Sequence, residues 1–523
     1  GSITANSGNL TVNNGGTSAT VGGTIVDEKG DLTINNTAGD MTISANIDHN
    51  KVNTTSNGMI SITNAENAGK LDITSPIQTY GAGKTVTDGT TETLMAILID
   101  NQSTTSGLNL DNSTVSARLG DIVIKNASKD LKLISGTISN TENGGISIIN
   151  AGNKVESTAS INVELGNINV SNTGNGQALI GGTITNEKGN TNFANNGTVL
   201  EISGTVDNQN GNVNITNNNG GLRIVGTVNN KGGNTTVTST GSYIEIAGTI
   251  NNKDGNLWIT NDNGSLSITS NGVINNTTSN SENGILISNL SDGDYFRMAG
   301  TINSIDKGYI SIINNAQNKN ITIEGDIFAK EGNIGVTNSD NGKLSMSGTV
   351  TDYKGDIVII NNGDDNAEIG GYITDEKGGV NIINNGGDLI VTSVITHNYI
   401  NSNSNGMITI TNSANGGSVD INAAISTSGL GGVDGKAIVI DNQSATSGMS
   451  IKNTISARVG DIDIKNANDN LSTAGMISNY EQGGVNITNN GVDYTNTASI
   501  IVKSGDVNIS NLGTTGKAEI GGS

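Results

Sequence analysis

The 523-residue chain contains no cysteine, which excludes thiol nucleophiles, cysteine metal sites and disulfide scaffolding. Cysteine-free chains occur both inside and outside cells, so this count leaves the compartment open. One proline against 73 glycines excludes collagen and proline-rich linkers. Aromatic residues make up 2%, so a core must be assembled from Ile, Val and Leu in thin layers. Basic residues are also short, with 26 Lys and Arg against 48 Asp and Glu and a net charge of −22. Nucleic acid and anionic membrane both require basic patches and are disfavoured as partners. No apolar run approaches the ~18 residues of a membrane span, so membrane insertion is not expected. There are only two histidines, His49 and His397, and they occupy equivalent positions in a duplicated segment. They read as one feature copied, an exposed corner residue, and make a poor basis for catalysis or metal ligation.

Regularity is what remains. Gly182, Gly204, Gly226 and Gly248 stand 22 residues apart, each opening Gly-Thr-Ile or Gly-Thr-Val, with a second glycine seven residues on. A fixed period of about 20–25 residues carrying short apolar alternations marks a solenoid of stacked coils. Low hydrophobicity alone would suggest disorder, but a disordered chain has no cause to hold apolar residues in register. In the coil Gly204–Val225, Thr205-Val206 is followed by a turn at Asn208 and Gly211. Asn212–Asn217 then alternates at period two, and a second turn leads into Leu222–Val225. Three short strands and three corners predict a triangular parallel β-helix.

The offset predicts columns of like residues one strand spacing apart, about 4.8 Å. Inward columns are Val206, Val228 and Ile250; Val213, Thr235 and Leu257; Ile215, Val237 and Ile259; and Leu222, Ile244 and Leu266. Corner columns are Asn186, Asn208, Asn230 and Asn252, and also Asn195, Asn217, Ser239 and Asn261. Stacked asparagines can pass amide hydrogen bonds from coil to coil. Outward, Glu201, Arg223 and Glu245 alternate in sign. Trp258 falls in an outward slot, as an isolated exposed aromatic or a contact residue.

Coils group into blocks, 1–158, 159–347, 348–497 and an incomplete 498–523, of which the first and third are close copies. Thus Ala96–Ser103 returns as Ala437–Ser444, and Ser116–Ile122 as Ser456–Ile462. Coils near 45–74, 75–111, 270–299, 393–422 and 423–452 run long, and extra residues in a solenoid must leave as loops at corners. The largest, Thr79–Leu94, is shortened in its copy at Thr427–Lys436. The candidate contact positions are therefore Thr79, Tyr80, Lys84, Thr427 and Trp258. The chain begins and stops in the same register, from which a longer polypeptide or end-to-end stacking of copies is expected.

Carboxylate chemistry has few candidates. Asp121 and Asp461 are copies at one corner, Asp364-Asp365 lies in a turn, and Asp292-Gly-Asp294 precedes Tyr295-Phe296-Arg297. Acid–base cleavage of a polysaccharide needs two carboxylates converging across a cleft, and solvated turn residues are the expected reading. Gly-Gly-x-Gly-x-Asp calcium nonapeptides do not occur, which leaves room only for weak Ca²⁺ binding at corner loops. No other cofactor is expected.

Coils such as Gly248-Thr-Ile-Asn-Asn-Lys-Asp-Gly-Asn-Leu-Trp-Ile-Thr-Asn261 resemble the haemagglutinin-type repeats of filamentous-haemagglutinin-like exoproteins, including two-partner-secretion adhesins. The resemblance spans essentially the whole chain. It implies a right-handed parallel β-helix on a bacterial surface, acting in adhesion or as a long spacer, and the right-handed crossover rule for parallel strands agrees. The expectation is an all-β right-handed β-solenoid, three short strands per coil of about 22 residues, roughly 21 coils. It would serve as a non-enzymatic extracellular fibre segment whose partners are further coils end to end. Two alternatives are a stalk binding a glycan or cell-surface receptor and, remotely, a polysaccharide-cleaving enzyme acting through Asp292 and Asp294.

Overall fold

The computed structural model describes residues 1–88, 91–399 and 403–522; the side chains of residues 88, 91, 291–293 and 433 stand outside that description. It is an all-β parallel solenoid of about 22 turns with about 23 residues per turn. The period is thus slightly longer than 22, because neighbouring coils are offset by 22 in some places and by 23 in others, as in Val206↔Val228 and Val350↔Ile373. Among the described residues there is no α-helix, only one 3₁₀ turn at Val433–Gly435.

The chain divides into two compact units, Gly1–Gly255 and Asn256–Ser523. In the first, a coil consists of Thr205–Asn208, Val213–Asn217 and Gly221–Ile224. Each strand pairs in parallel with its counterpart one coil later, Thr227–Asn230, Thr235–Ser239 and Tyr243–Ile246. The second unit repeats the scheme: Thr349–Asp352, Ile357–Asn361 and Ala367–Ile369 pair with Tyr372–Asp375, Val380–Asn384 and Gly387–Val391. Successive residues of a strand face in and out alternately. Val206, Val213, Ile215, Leu222 and Ile224 are sealed inside, as are Val228, Val237, Ile244 and Ile250. Leu257, Ile259 and Leu266 are likewise buried in the second unit. Thr235 also points inward, and its hydroxyl is satisfied by donating to Asn252 Oδ1 at 2.7 Å.

The glycine columns have a steric cause. A Cβ on Gly226 would lie 1.9 Å from the carbonyl oxygen of Gly204, and one on Gly248 would lie 2.0 Å from that of Gly226. No side chain fits where one coil's backbone rests on the next. Gly211 combines such a contact, 2.2 Å from Gly189 O, with a φ of +120° that L side chains rarely adopt.

Long coils add their residues chiefly at one corner, between the first and second strands. The additions follow His49 and Thr79 in the first unit, and Thr277, His397 and Thr427 in the second. The segment Thr79–Leu94 is not a plain loop. Lys84–Asp88 pairs antiparallel with the start of Thr91–Asn101, making a hairpin that runs into the second strand of its coil. Positions 89–90, at its tip, lie outside the described residues.

Candidate functional site

The most extensive polar arrangement is a ladder of mostly buried asparagines at the ends of the second strands, absent from Thr235–Ser239, which ends in Ser239. In the first unit, Asn14 donates from Nδ2 to Oδ1 of Asn36, Asn36 to Asn64, and Asn64 to Asn101, and the chain of bonds continues through Asn126, Asn150, Asn172 and Asn195 to Asn217. In the second unit the same ladder runs from Asn261 through Asn289, Asn314 and Asn338, then onward to Asn511. The second N–H of most of these amides turns back to a carbonyl of its own corner, as Asn195 does to Gly197 and Asn384 to Gly387, while that of Asn14 reaches Ala38 O in the next coil. Asn195 and Asn384 each accept from the preceding coil and donate to the following coil and to their own turn, so both side-chain groups are bonded.

The column predicted at Asn186, Asn208, Asn230 and Asn252 is less regular. Asn208 bonds Asn230 at 3.1 Å and Asn230 bonds Asn252 at 3.3 Å. Asn186 instead donates to Asn190 O and to the hydroxyl of Thr191, and that hydroxyl donates to Asn208 Oδ1. The Gly-Asn and Gly-Asp pairs ahead of the second strand have a different task. Asn190 Oδ1 accepts the backbone N–H of Asn212, Asp121 that of Gly145, and Asp461 that of Gly484. Burial raises the Asp121 carboxyl above its ordinary range. Arg223 bridges Glu201 at 2.6 Å and Glu245 at 3.1 Å, the outward column expected from the repeat.

The two histidines are not exposed corner residues. His49 and His397 are fully buried, because they occupy an inward slot and the added residues of their long coils fold over them. His49 Nε2 donates to Gly30 O at 2.9 Å, and Nδ1 accepts from the Thr79 hydroxyl at 2.9 Å. His397 repeats this with Gly378 O at 2.6 Å and Thr427 at 3.0 Å. Below each ring lies a buried aspartate, Asp27 at 3.7 Å and Asp375 at 3.9 Å, and Asp352 lies one coil below Asp375. Burial pushes these carboxyls up, Asp27 to about 6, Asp352 to about 7 and Asp375 to about 8. It pushes both histidines down, so each imidazole is neutral near pH 7, where Asp375 beneath His397 stays largely protonated and Asp27 beneath His49 is largely ionised. The order Asp–His–Thr looks like a nucleophilic relay. Its hydroxyl is sealed, however, and its Nε2 bonds a carbonyl, so the arrangement is suited to joining three coils. The sequence did contain a signal: Asp27 and Asp375 fall two residues after the inward Ile25 and Ile373.

The predicted contact positions separate. Thr79 and Thr427 are buried, 3% and 1% exposed, and bond the histidines, so they are not surface contacts. Tyr80 is half-buried with its hydroxyl on Gln78, and Lys84 is exposed and paired with Asp31 at 2.6 Å. Trp258 faces outward and is half-buried. One residue missed in the sequence organises this corner: Arg118 donates to Tyr80 O, Thr54 O and Glu142. Arg458 does the same in the copy with Ser428 O and Glu481.

The Asp292 side chain lies outside the described residues. Asp294 pairs with Lys319 at 3.0 Å and Arg297 with Glu324 at 2.6 Å, while Phe296 is buried. Asp364 and Asp365 are exposed. Among the described residues no three His, Cys, Asp or Glu side chains are grouped to hold a metal ion. Comparison with protein-family models, with curated proteins and with solved structures finds no match in any of the three.

Proposed function

We propose that this chain is a structural segment of an extracellular fibre or surface stalk, built to extend and to hold its form. The observation that carries the reading is the asparagine ladder. In both units the buried polar side chains at the second-strand corner are spent on bonds to the next coil. Asp121 and Asp461 are spent likewise on corner N–H groups, and His49 on Gly30 O and the Thr79 hydroxyl. Pairing of Asp294 with Lys319 and Arg297 with Glu324 favours this role over carboxylate-based cleavage of a polysaccharide. The resemblance to haemagglutinin-type repeats points the same way, to a bacterial surface and to coils continuing end to end.

Electron cryomicroscopy of native material, with antibody labelling of intact cells, tests this reading. Thin filaments or stalks carrying the epitope at the cell surface, with a strand-spacing repeat of about 4.8 Å along the axis, are expected. Epitope confined to the cell interior, or compact particles without an axial repeat, would remove the proposal.

A further inference from the structure

The duplicated blocks differ where a ligand could see them. In the first block the sheet surface around the buried histidine carries Asn6, Thr24, Val26, Asp48 and Lys51, with Lys51 and Asp48 paired at 3.1 Å. The third block keeps the inward residues, with Ile373, Asp375, Ile395, His397 and Asn398 standing for Ile25, Asp27, Ile47, His49 and Asn50. Its outward residues change together to Tyr353, Tyr372, Thr374, Thr396 and Tyr399. The scaffold is unchanged, so packing does not account for the exchange of an ion pair and small polar residues for three tyrosines.

The result is a shallow groove of about 350 Å³ lined by Thr351, Tyr353, Thr374, Glu376, Thr396 and Tyr399. Thr351, Thr374 and Thr396 are in register on adjacent strands, placing three hydroxyls in a row about 4.8 Å apart. Among the described residues these hydroxyls have no hydrogen-bond partner, unlike the outward asparagines, which bond one another. Tyr353 is 41% and Tyr399 73% exposed, and Phe328 holds the Tyr353 ring edge-on at 5.9 Å. Tyr372, 61% exposed, stands beside the row. Four of the few aromatics in this chain therefore gather around one line of spare hydroxyls.

We propose that this groove binds an uncharged saccharide. Tyrosine faces offer flat apolar surface to the C–H face of a sugar ring. Threonine hydroxyls donate and accept, matching the two-way hydrogen bonding of sugar hydroxyls. No basic side chain lines the groove, its one charged member is the Glu376 carboxylate, and the whole chain is strongly acidic. An acidic glycan is repelled there. Saccharide binding at this groove stands or falls separately from the structural role.

The test is calorimetric titration of the full chain with chitohexaose, mannohexaose, cellohexaose and sialyllactose. At least one neutral hexasaccharide should bind at millimolar concentration or below, with sialyllactose weaker. Tyr399→Ala should weaken binding about tenfold. Exchanging the groove for the first block's own residues (Tyr353→Asn, Tyr372→Thr, Thr374→Val, Thr396→Asp, Tyr399→Lys) should abolish binding while leaving the fold, since the copied scaffold already carries them. Tyr295→Ala, at an exposed tyrosine outside the groove, should change nothing. The proposal is overturned if no neutral probe binds, if binding survives the five-residue exchange, or if sialyllactose binds best. Sedimentation showing that the exchange abolishes self-association without any sugar effect would assign the face to a second copy and overturn it equally.

Discussion

Asn384 donates its amide forward to Asn412 over 2.8 Å, while Asn385, next to it in the chain, donates backward to Asn362 over 2.7 Å. The first bond is buried and the second lies at the surface, and the two columns run in opposite directions. Outward asparagines elsewhere share the backward direction, as Asn192 to Asn169 and Asn251 to Asn229. Adjacent residues of one type thus do different work according to the face they occupy.

Asn384→Ala should therefore destabilise by about 1–3 kcal/mol, because it takes the ladder donor from Asn412 Oδ1, the side-chain donor from Gly387 O and one acceptor from the Asn361 amide in the interior. Asn385→Ala should stay within about 0.5 kcal/mol of the parent. Urea midpoints of the two variants check this, and equal losses would contradict a special role for the inward ladder.

The buried acids set a pH dependence. Asp375 titrates near 8 when folded against an ordinary value of 3.8, so the folded state holds a proton that the unfolded state releases. The stability it contributes is full below about pH 4 and is lost as pH rises through 8. Asp352 and Asp27 act in the same sense, with losses ending near 7 and 6. The lowered histidines act oppositely, with stability present above 6.5 and lost as pH falls. Melting temperatures at pH 5, 7 and 9 should show Asp375→Asn gaining on the parent as pH rises.

Gly226→Ala should cost about 1–3 kcal/mol or more, because its Cβ would meet Gly204 O at 1.9 Å. Gly335→Ala is the control. Only Ile310 O lies within reach there, at 3.8 Å, so alanine should be neutral or stabilising by up to about 1 kcal/mol. Thermal unfolding of the two variants measures the contrast.

Arg118→Met should loosen the corner without unfolding the coils. It removes the bonds to Tyr80 O and Thr54 O, which tie the added residues of two coils together. Hydrogen exchange should quicken in residues 50–58 and 80–83 and stay unchanged in the second strand at Ile60–Asn64. Unchanged exchange throughout would show that the main-chain bonds alone hold this corner.

Much was legible in the sequence because the repeat is short and strict. Period-two alternation placed Val206, Val213, Ile215 and Leu222 inside, and the 22-residue offset placed Arg223 between Glu201 and Glu245. These follow from local geometry, since a strand alternates faces and a solenoid stacks like on like. The corner asparagines were visible as columns for the same reason. Only the tertiary structure decided which column bonds continuously and that inward and outward ladders run in opposite directions, because that depends on where each amide meets the neighbouring coil. It also decided that His49 and His397 are sealed with Thr79 and Thr427 above Asp27 and Asp375, since the covering residues come from coils about thirty positions away. The groove of Tyr353, Thr374, Thr396 and Tyr399 belongs to the same class. Its members come from three coils, and their shared outward face exists only once those coils are stacked.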